Sequence, residues 1–205
     1  MRKLDIEYDL VFILDCLTQE ERDNFKIAED LMNFLASKGI TQNRAKCENK
    51  AMVIEAFKSM NKLAETGQKF CLQIVSHGSD KGLWIKETNE FVCWDELRDN
   101  LYKLNHKLCN TLIINMTTCK GLNGIKIVNE NTNDYPFFGL IGCYRDLYIN
   151  EGKTVNDLFY NKLIEGKDIS IIISEIQRNF KLNGNTDNVI YGITSQGYKN
   201  IVKNE

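Results

Sequence analysis

Strands alternating with helices along this chain predict an α/β fold: a mostly parallel central sheet of about six strands, covered by helices on both faces. Two observations carry the prediction. Short continuous apolar runs, the mark of strands buried on both faces, recur from residues 10–14 to residues 189–193. Between them lie longer stretches with apolar residues at helical spacing, several with recognisable caps. No repeat, linker or low-complexity block divides the 205 residues, so a single domain over 1–205 is expected.

Residues 10–14 (LVFIL) form the first strand. Thr18 and Glu21 then make a capping box, with Phe25, Ala28, Leu31, Met32 and Leu35 on one helical face and Gly39 closing the helix. Residues 39–47 hold at most a weak edge strand. A second helix starts near Asn49 and carries Val53, Ile54, Phe57, Met60, Leu63 and Ala64 before Gly67. Residues 70–76 (FCLQIVS) are the next central strand. Residues 83–85 and 91–93 flank a polar tip and read as a small hairpin. Trp94, Leu97, Leu101 and Leu104 give a one-sided helix, and residues 111–116 and 137–142 are two further strands. Thr154 and Asp157 cap a helix bearing Val155, Leu158, Phe159 and Leu163. Asp168 caps another, with Ile169, Ile172, Ile173, Ile176 and Phe180 inward. Residues 189–193 supply the last strand.

Composition narrows the function classes. With 43% apolar and 26% charged residues the chain is globular. A formal charge of −2 with no basic stripe gives no electrostatic reason to expect nucleic acid. No apolar run approaches the ~18 residues of a membrane span, and the first eight residues lack the apolar centre of a signal peptide. No membrane partner and a cytoplasmic location are therefore expected. The seven cysteines are odd in number and read as reduced thiols, with Cys71, Cys93, Cys109 and Cys143 as small buried hydrophobes. Cys16, just after the first strand, reads the same way. Without a CxxC pair, and with two histidines, no structural zinc is expected.

In sheets of this kind ligands bind at the carboxyl ends of the strands. Two such ends carry chemistry. The strand 70–75 runs into Ser76-His77-Gly78, and the strand 111–116 runs into Thr117-Thr118-Cys119-Lys120-Gly121. A thiol needs a neighbouring base to become a thiolate at neutral pH, and imidazole suits the task. Glycine after the histidine lets main-chain N–H groups approach a bound carbonyl oxygen, so the N–H groups of Gly78 and Cys119 are the candidate oxyanion hole. A lone histidine or cysteine would most simply be structural; the pair at successive strand ends, 42 residues apart, is what carries weight.

This order, strand–Ser-His-Gly, hairpin, helix, strand–x-x-Cys-x-Gly, resembles the caspase-like cysteine peptidases (the caspase-hemoglobinase fold), including prokaryotic members and the related CHAT domains. The later helix with Phe159-Tyr160, Leu163 and Gly166 resembles prokaryotic relatives, and the resemblance extends from about residue 10 to residue 198. It implies His77 as general base and acid, Cys119 as nucleophile, an acyl-enzyme intermediate, a protein or peptide substrate and no cofactor. It names no third orienting residue.

The chain departs from the family's patterns. Where caspases place Gln-Ala before the nucleophile it has Thr117 and Thr118, and residues 147–150 carry no arginine where caspases have one, although Arg145 and Arg22 lie nearby in sequence. Strict cleavage after aspartate is not supported, and position 117 also lacks the aspartate of basic-specific relatives. Candidate substrate-pocket residues are Asp15, Thr117 and Tyr148; Asp15 would favour Lys or Arg, against a plainer reading as a capping carboxylate. Residues 126–135 are polar and suit a loop open to self-cleavage, and control is otherwise left to an activating partner or ligand. The main rival is a caspase-fold module acting in binding or assembly without catalysis. A nucleotide-binding domain lacks its glycine-rich fingerprints here.

Overall fold

The computed structural model describes residues 8–184 and 187–203. In chain order these form β1 (Leu10–Asp15), α1 (Gln19–Phe25), α2 (Ile27–Ser37), β2 (Thr41–Lys46), α3 (Lys50–Glu65), β3 (Phe70–Val75), β4 (His77–Gly78), β5 (Gly82–Ile85), β6 (Glu90–Cys93), α4 (Trp94–Lys107), β7 (Ile113–Met116), a 3-10 helix (Gly121–Ile127), β8 (Gly139–Gly142), α5 (Ile149–Ile164), α6 (Ile169–Leu182), β9 (Tyr191–Thr194) and α7 (Ser195–Lys203).

The main sheet has six strands in the order β2-β1-β3-β7-β8-β9. Every pairing is parallel except the last, where β9 runs antiparallel to β8. The continuous apolar runs pack on both faces because successive side chains alternate across the sheet. Phe12 and Leu14 join one core with Phe57 and Met60 of α3 and Leu101 and Leu104 of α4. Val11 and Ile13 join the other with Leu31 and Leu35 of α2, Phe159 of α5 and Ile176 of α6. Each such fully buried side chain contributes about 1.5–3 kcal/mol. At one rim β2 (TQNRAK) is polar and half-exposed, which suits an edge strand.

Several expectations need correction. The helix after β1 is two helices: Lys26 adopts a left-handed conformation (φ 52°), ends α1 by donating to Arg22, and redirects the chain into α2. The helix expected to be capped by Thr154 starts earlier, at Ile149; the Tyr148 N–H donates to Glu151, and Thr154 lies inside the helix with its hydroxyl on the Asn150 carbonyl. The last strand lies at Tyr191–Thr194 and is followed by α7, which the sequence reading lacked. Cys93 and Cys109 are exposed at the two ends of α4, where a thiol escapes the core; Cys16, Cys71 and Cys143 are buried as expected.

The hairpin is larger than expected. His77–Gly78 pairs with β5, so β4-β5-β6 make a separate three-stranded sheet standing on the carboxyl edge of the main one. The polar stretch 126–135 is tied down: the Arg98 guanidinium donates to the Ile127 carbonyl, Asn105 to the Tyr135 carbonyl, and the buried Lys199 of α7 to the Thr132 and Asp134 carbonyls. Among the described residues, no helix is long and apolar enough to cross a membrane.

Candidate active site

β3 and β7 pair with the offset that matches Ile74 to Met116, and the same offset separates His77 from Cys119. Both residues therefore leave the main sheet at one level and one edge. The two loops touch: a Cβ on Gly78 would overlap the Cys119 carbonyl oxygen, so glycine is what lets the histidine strand close onto the cysteine loop. Lys120, left-handed at φ 52°, then turns the chain into the 3-10 helix beneath β8.

Two hydrogen bonds from backbone N–H groups fix the loop around the thiol. The Lys120 N–H donates to the Arg145 carbonyl, and the Leu147 N–H donates to Cys119 Sγ at 3.4 Å. No hydrogen bond joins Sγ to an imidazole nitrogen among the described residues; catalytic bonds of this kind are commonly long in the unliganded state. The Cys119 N–H has no acceptor among the described residues. Ser79 N–H bonds to the Gly82 carbonyl, so the alternation of an antiparallel pair turns the Gly78 N–H away from β5.

The imidazole of His77 is bracketed by two side chains. Trp84, its partner across β5, lies with ring centroids 5.5 Å apart. On another side His77 Nε2 is 3.1 Å from Glu21 Oε1. Glu21 belongs to α1, whose capping box stands as the sequence predicted, with the Thr18 N–H on Glu21 Oε2 and the Glu21 N–H on the Thr18 hydroxyl. The same carboxylate takes an ion pair from Lys86 at 2.7 Å. Burial pushes the Glu21 carboxyl up, but the bonds from Lys86, the Thr18 N–H and His77 outweigh it and hold it down at about 2. Sequence reading saw only the cap; its contact with His77 spans 56 positions and leaves no local signal.

Three of the other cysteines have raised thiols. Burial raises the Cys71 thiol to about 12 and also raises Cys143. Cys16 is raised by a side-chain hydrogen bond with the Cys47 thiol and then by burial. Cys119 is half-buried at the sheet edge.

Of the three pocket candidates, one is corrected. Asp15 has no exposed surface; its carboxylate is paired with Arg44 and Arg22 and accepts the Leu17 N–H, so no substrate side chain reaches it. Thr117 lies two residues before Cys119, but its hydroxyl turns inward, accepting from Gln73 (2.8 Å) and donating to Asn156 (2.9 Å). Tyr148 stands next to Leu147 and is 77% exposed. Arg145 also comes to the site, with its guanidinium held at both nitrogens by Glu151. A cavity of about 940 Å³ lies at the amino ends of β1, β7 and β8, the opposite edge of the sheet. An extended peptide needs an open groove rather than a cavity, so that volume does not locate the chemistry. No cluster of His, Cys, Asp and Glu among the described residues could hold a metal ion.

No family model and no curated protein matches the sequence. Solved structures do. The chain is similar to drICE at 10% identity, with a TM-score of 0.55 over 94% of this chain and 90% of that one. It is similar to pro-sf-caspase-1 at 11% identity, with a TM-score of 0.58 over 94% and 93%. At such identity the likeness concerns the fold, which is caspase-like.

Proposed function

We propose that this chain, built on the caspase-like fold, is a cysteine endopeptidase in which Cys119 attacks a peptide carbonyl and His77 moves the proton. The observation that carries the reading is the level placement of His77 and Cys119 just past the carboxyl ends of the adjoining parallel strands β3 and β7, with the two segments in contact through Gly78. The thiol proton passes to the imidazole, the thiolate attacks, and the imidazolium returns the proton to the leaving amine; water then cleaves the thioester. The free N–H of Cys119 and the N–H of Gly78 receive the oxyanion. Protein or peptide is the substrate class, and no cofactor takes part in these steps.

Tyr148 offers an exposed aromatic rim to the substrate groove, and Thr117 supports the nucleophile from beneath through Gln73 and Asn156. Asp15 is not part of the groove. We place the chain with the prokaryotic and CHAT-type members on the motif of α5, and a part in regulated defence or cell death follows only from that placement.

One observation favours the rival reading of a binding or assembly module: Sγ is bonded to the Leu147 backbone rather than to the imidazole. A mixed-sequence fluorogenic peptide library separates the two. The protease reading expects turnover by the wild type that vanishes in Cys119→Ala. Turnover surviving in Cys119→Ala, or a partner-activated preparation that binds protein but never cleaves, supports the module.

A further inference from the structure

The carboxylate of Glu21 is fully committed, and each commitment lies on a different element. Oε2 accepts the Thr18 N–H and so belongs to the start of α1. Oε1 faces His77 Nε2 of β4 at 3.1 Å and Lys86 Nζ, just past β5, at 2.7 Å. Glu21 is 6% exposed, whereas the Lys86 side chain is 48% exposed. A buried carboxylate on one ring nitrogen fixes the ring's orientation, leaves the other nitrogen to act as base, and stabilises the imidazolium once it forms.

We propose that Glu21 is a positioning residue for His77 and that Lys86, sharing the same carboxylate oxygen, limits how strongly Glu21 acts. This rests on the Cys119–His77 reading above. In the activation step the S–H bond of Cys119 breaks and an N–H bond forms at His77 Nδ1. The Nε2–H remains directed at Glu21 Oε1, and nothing is oxidised or reduced. Glu21 favours the product of that step, an imidazolium beside a thiolate. Lys86 opposes it by neutralising Glu21 and by its own positive charge.

The other charges around the group are accounted for. Glu20 of α1 acts on Lys86. Arg22, next to Glu21, is turned to Asp15 and Glu48. On the cysteine side Arg145 is paired with Glu151. Lys86 is therefore the cation that shares Glu21 with the imidazole. The two residues should then have opposite effects on one observable, which a purely structural role for the capping box does not produce.

The observable is the rate at which chloroacetamide alkylates Cys119 as a function of pH, read by peptide mass mapping and needing no substrate. Glu21→Gln keeps an acceptor for the Thr18 N–H, since Gln serves the same box. Because the transfer neither gains nor loses a proton, its equilibrium sets the pH-independent plateau of the profile, and Glu21→Gln should lower that plateau about three-fold or more. Lys86→Gln, at an exposed position, should raise it. A plateau unmoved by both, or moved the same way by both, overturns the proposal. If His77→Ala leaves the wild-type profile unchanged, the Cys119–His77 reading itself fails and the proposal with it. A profile that needs His77 but ignores Glu21 and Lys86 overturns this inference alone. A thermal melt of Glu21→Gln guards against unfolding, and Lys86→Gln tests the sign independently of the cap.

Discussion

The carbonyl oxygen of Cys119 occupies the space where a side chain on Gly78 would stand, and Thr118 Oγ1 presses on the same point. The two loops that carry the thiol and the imidazole are therefore held at a separation set by the missing Cβ. Gly78→Ala would force backbone against backbone, which no side-chain rotation relieves. Overpacking of this kind costs about 1–3 kcal/mol in stability. The effect on Cys119 reactivity should be larger, about 100-fold, because a displacement near 1 Å suffices for that. Alkylation kinetics beside a thermal melt check the disproportion; equal, mild effects on both would count against the geometry.

Asp15 is a structural ion. Removing its charge takes the carboxylate from Arg44 and leaves Arg22, 4% exposed, with Glu48 as its remaining counter-charge. Asp15→Asn should therefore destabilise the fold by about 3–5 kcal/mol. Denaturant unfolding measures this. A stable Asp15→Asn protein with altered preference for basic residues at the cleavage site would restore the pocket reading.

Glu21 makes stability depend on pH in a defined window. Its folded-state value, about 2, lies below the ordinary 4.5, so it contributes stability above pH 4.5 that is lost as pH falls toward 2. Wild type should therefore exceed Glu21→Gln in denaturant midpoint at pH 6, and the gap should close with acidification. A gap that stays constant from pH 6 to pH 2 would mean that Glu21 acts only through neutral hydrogen bonds.

The capping box gives an independent control. Thr18→Ala removes the acceptor for the Glu21 N–H at the start of α1 and should cost about 1 kcal/mol. Because Glu21 is also held by Lys86, the pH profile of Cys119 alkylation should change less than in Glu21→Gln. The reverse order of effects would place the cap, and not the carboxylate, behind any change at His77.

What the sequence made legible was local. Apolar runs such as residues 10–14 announce strands, Thr18 and Asn49 announce helix starts, and His77 and Cys119 follow strand ends whose edge is fixed by parallel topology. What it concealed depends on partners far along the chain. Asp15 looks available until Arg44, on the strand beside it, takes its carboxylate. α5 starts at Ile149 with Glu151 serving both the Tyr148 N–H and Arg145, an arrangement no helix-start pattern displays. The break falls on Lys26, a lysine in the left-handed position where glycine or asparagine would have marked a turn. Cys93 and Cys109 sit beside apolar residues yet at helix ends, where neighbours in sequence say little about burial.

The most direct test of the central claim is where an electrophilic peptide reacts. A pool of peptidyl acyloxymethyl ketones, incubated with the protein and followed by peptide mapping, reports which of the seven cysteines carries the adduct. A single adduct on Cys119 that is lost in His77→Ala is expected, with the exposed Cys93 and Cys109 untouched. Adducts spread over Cys93 and Cys109, or labelling of Cys119 indifferent to His77, would contradict it.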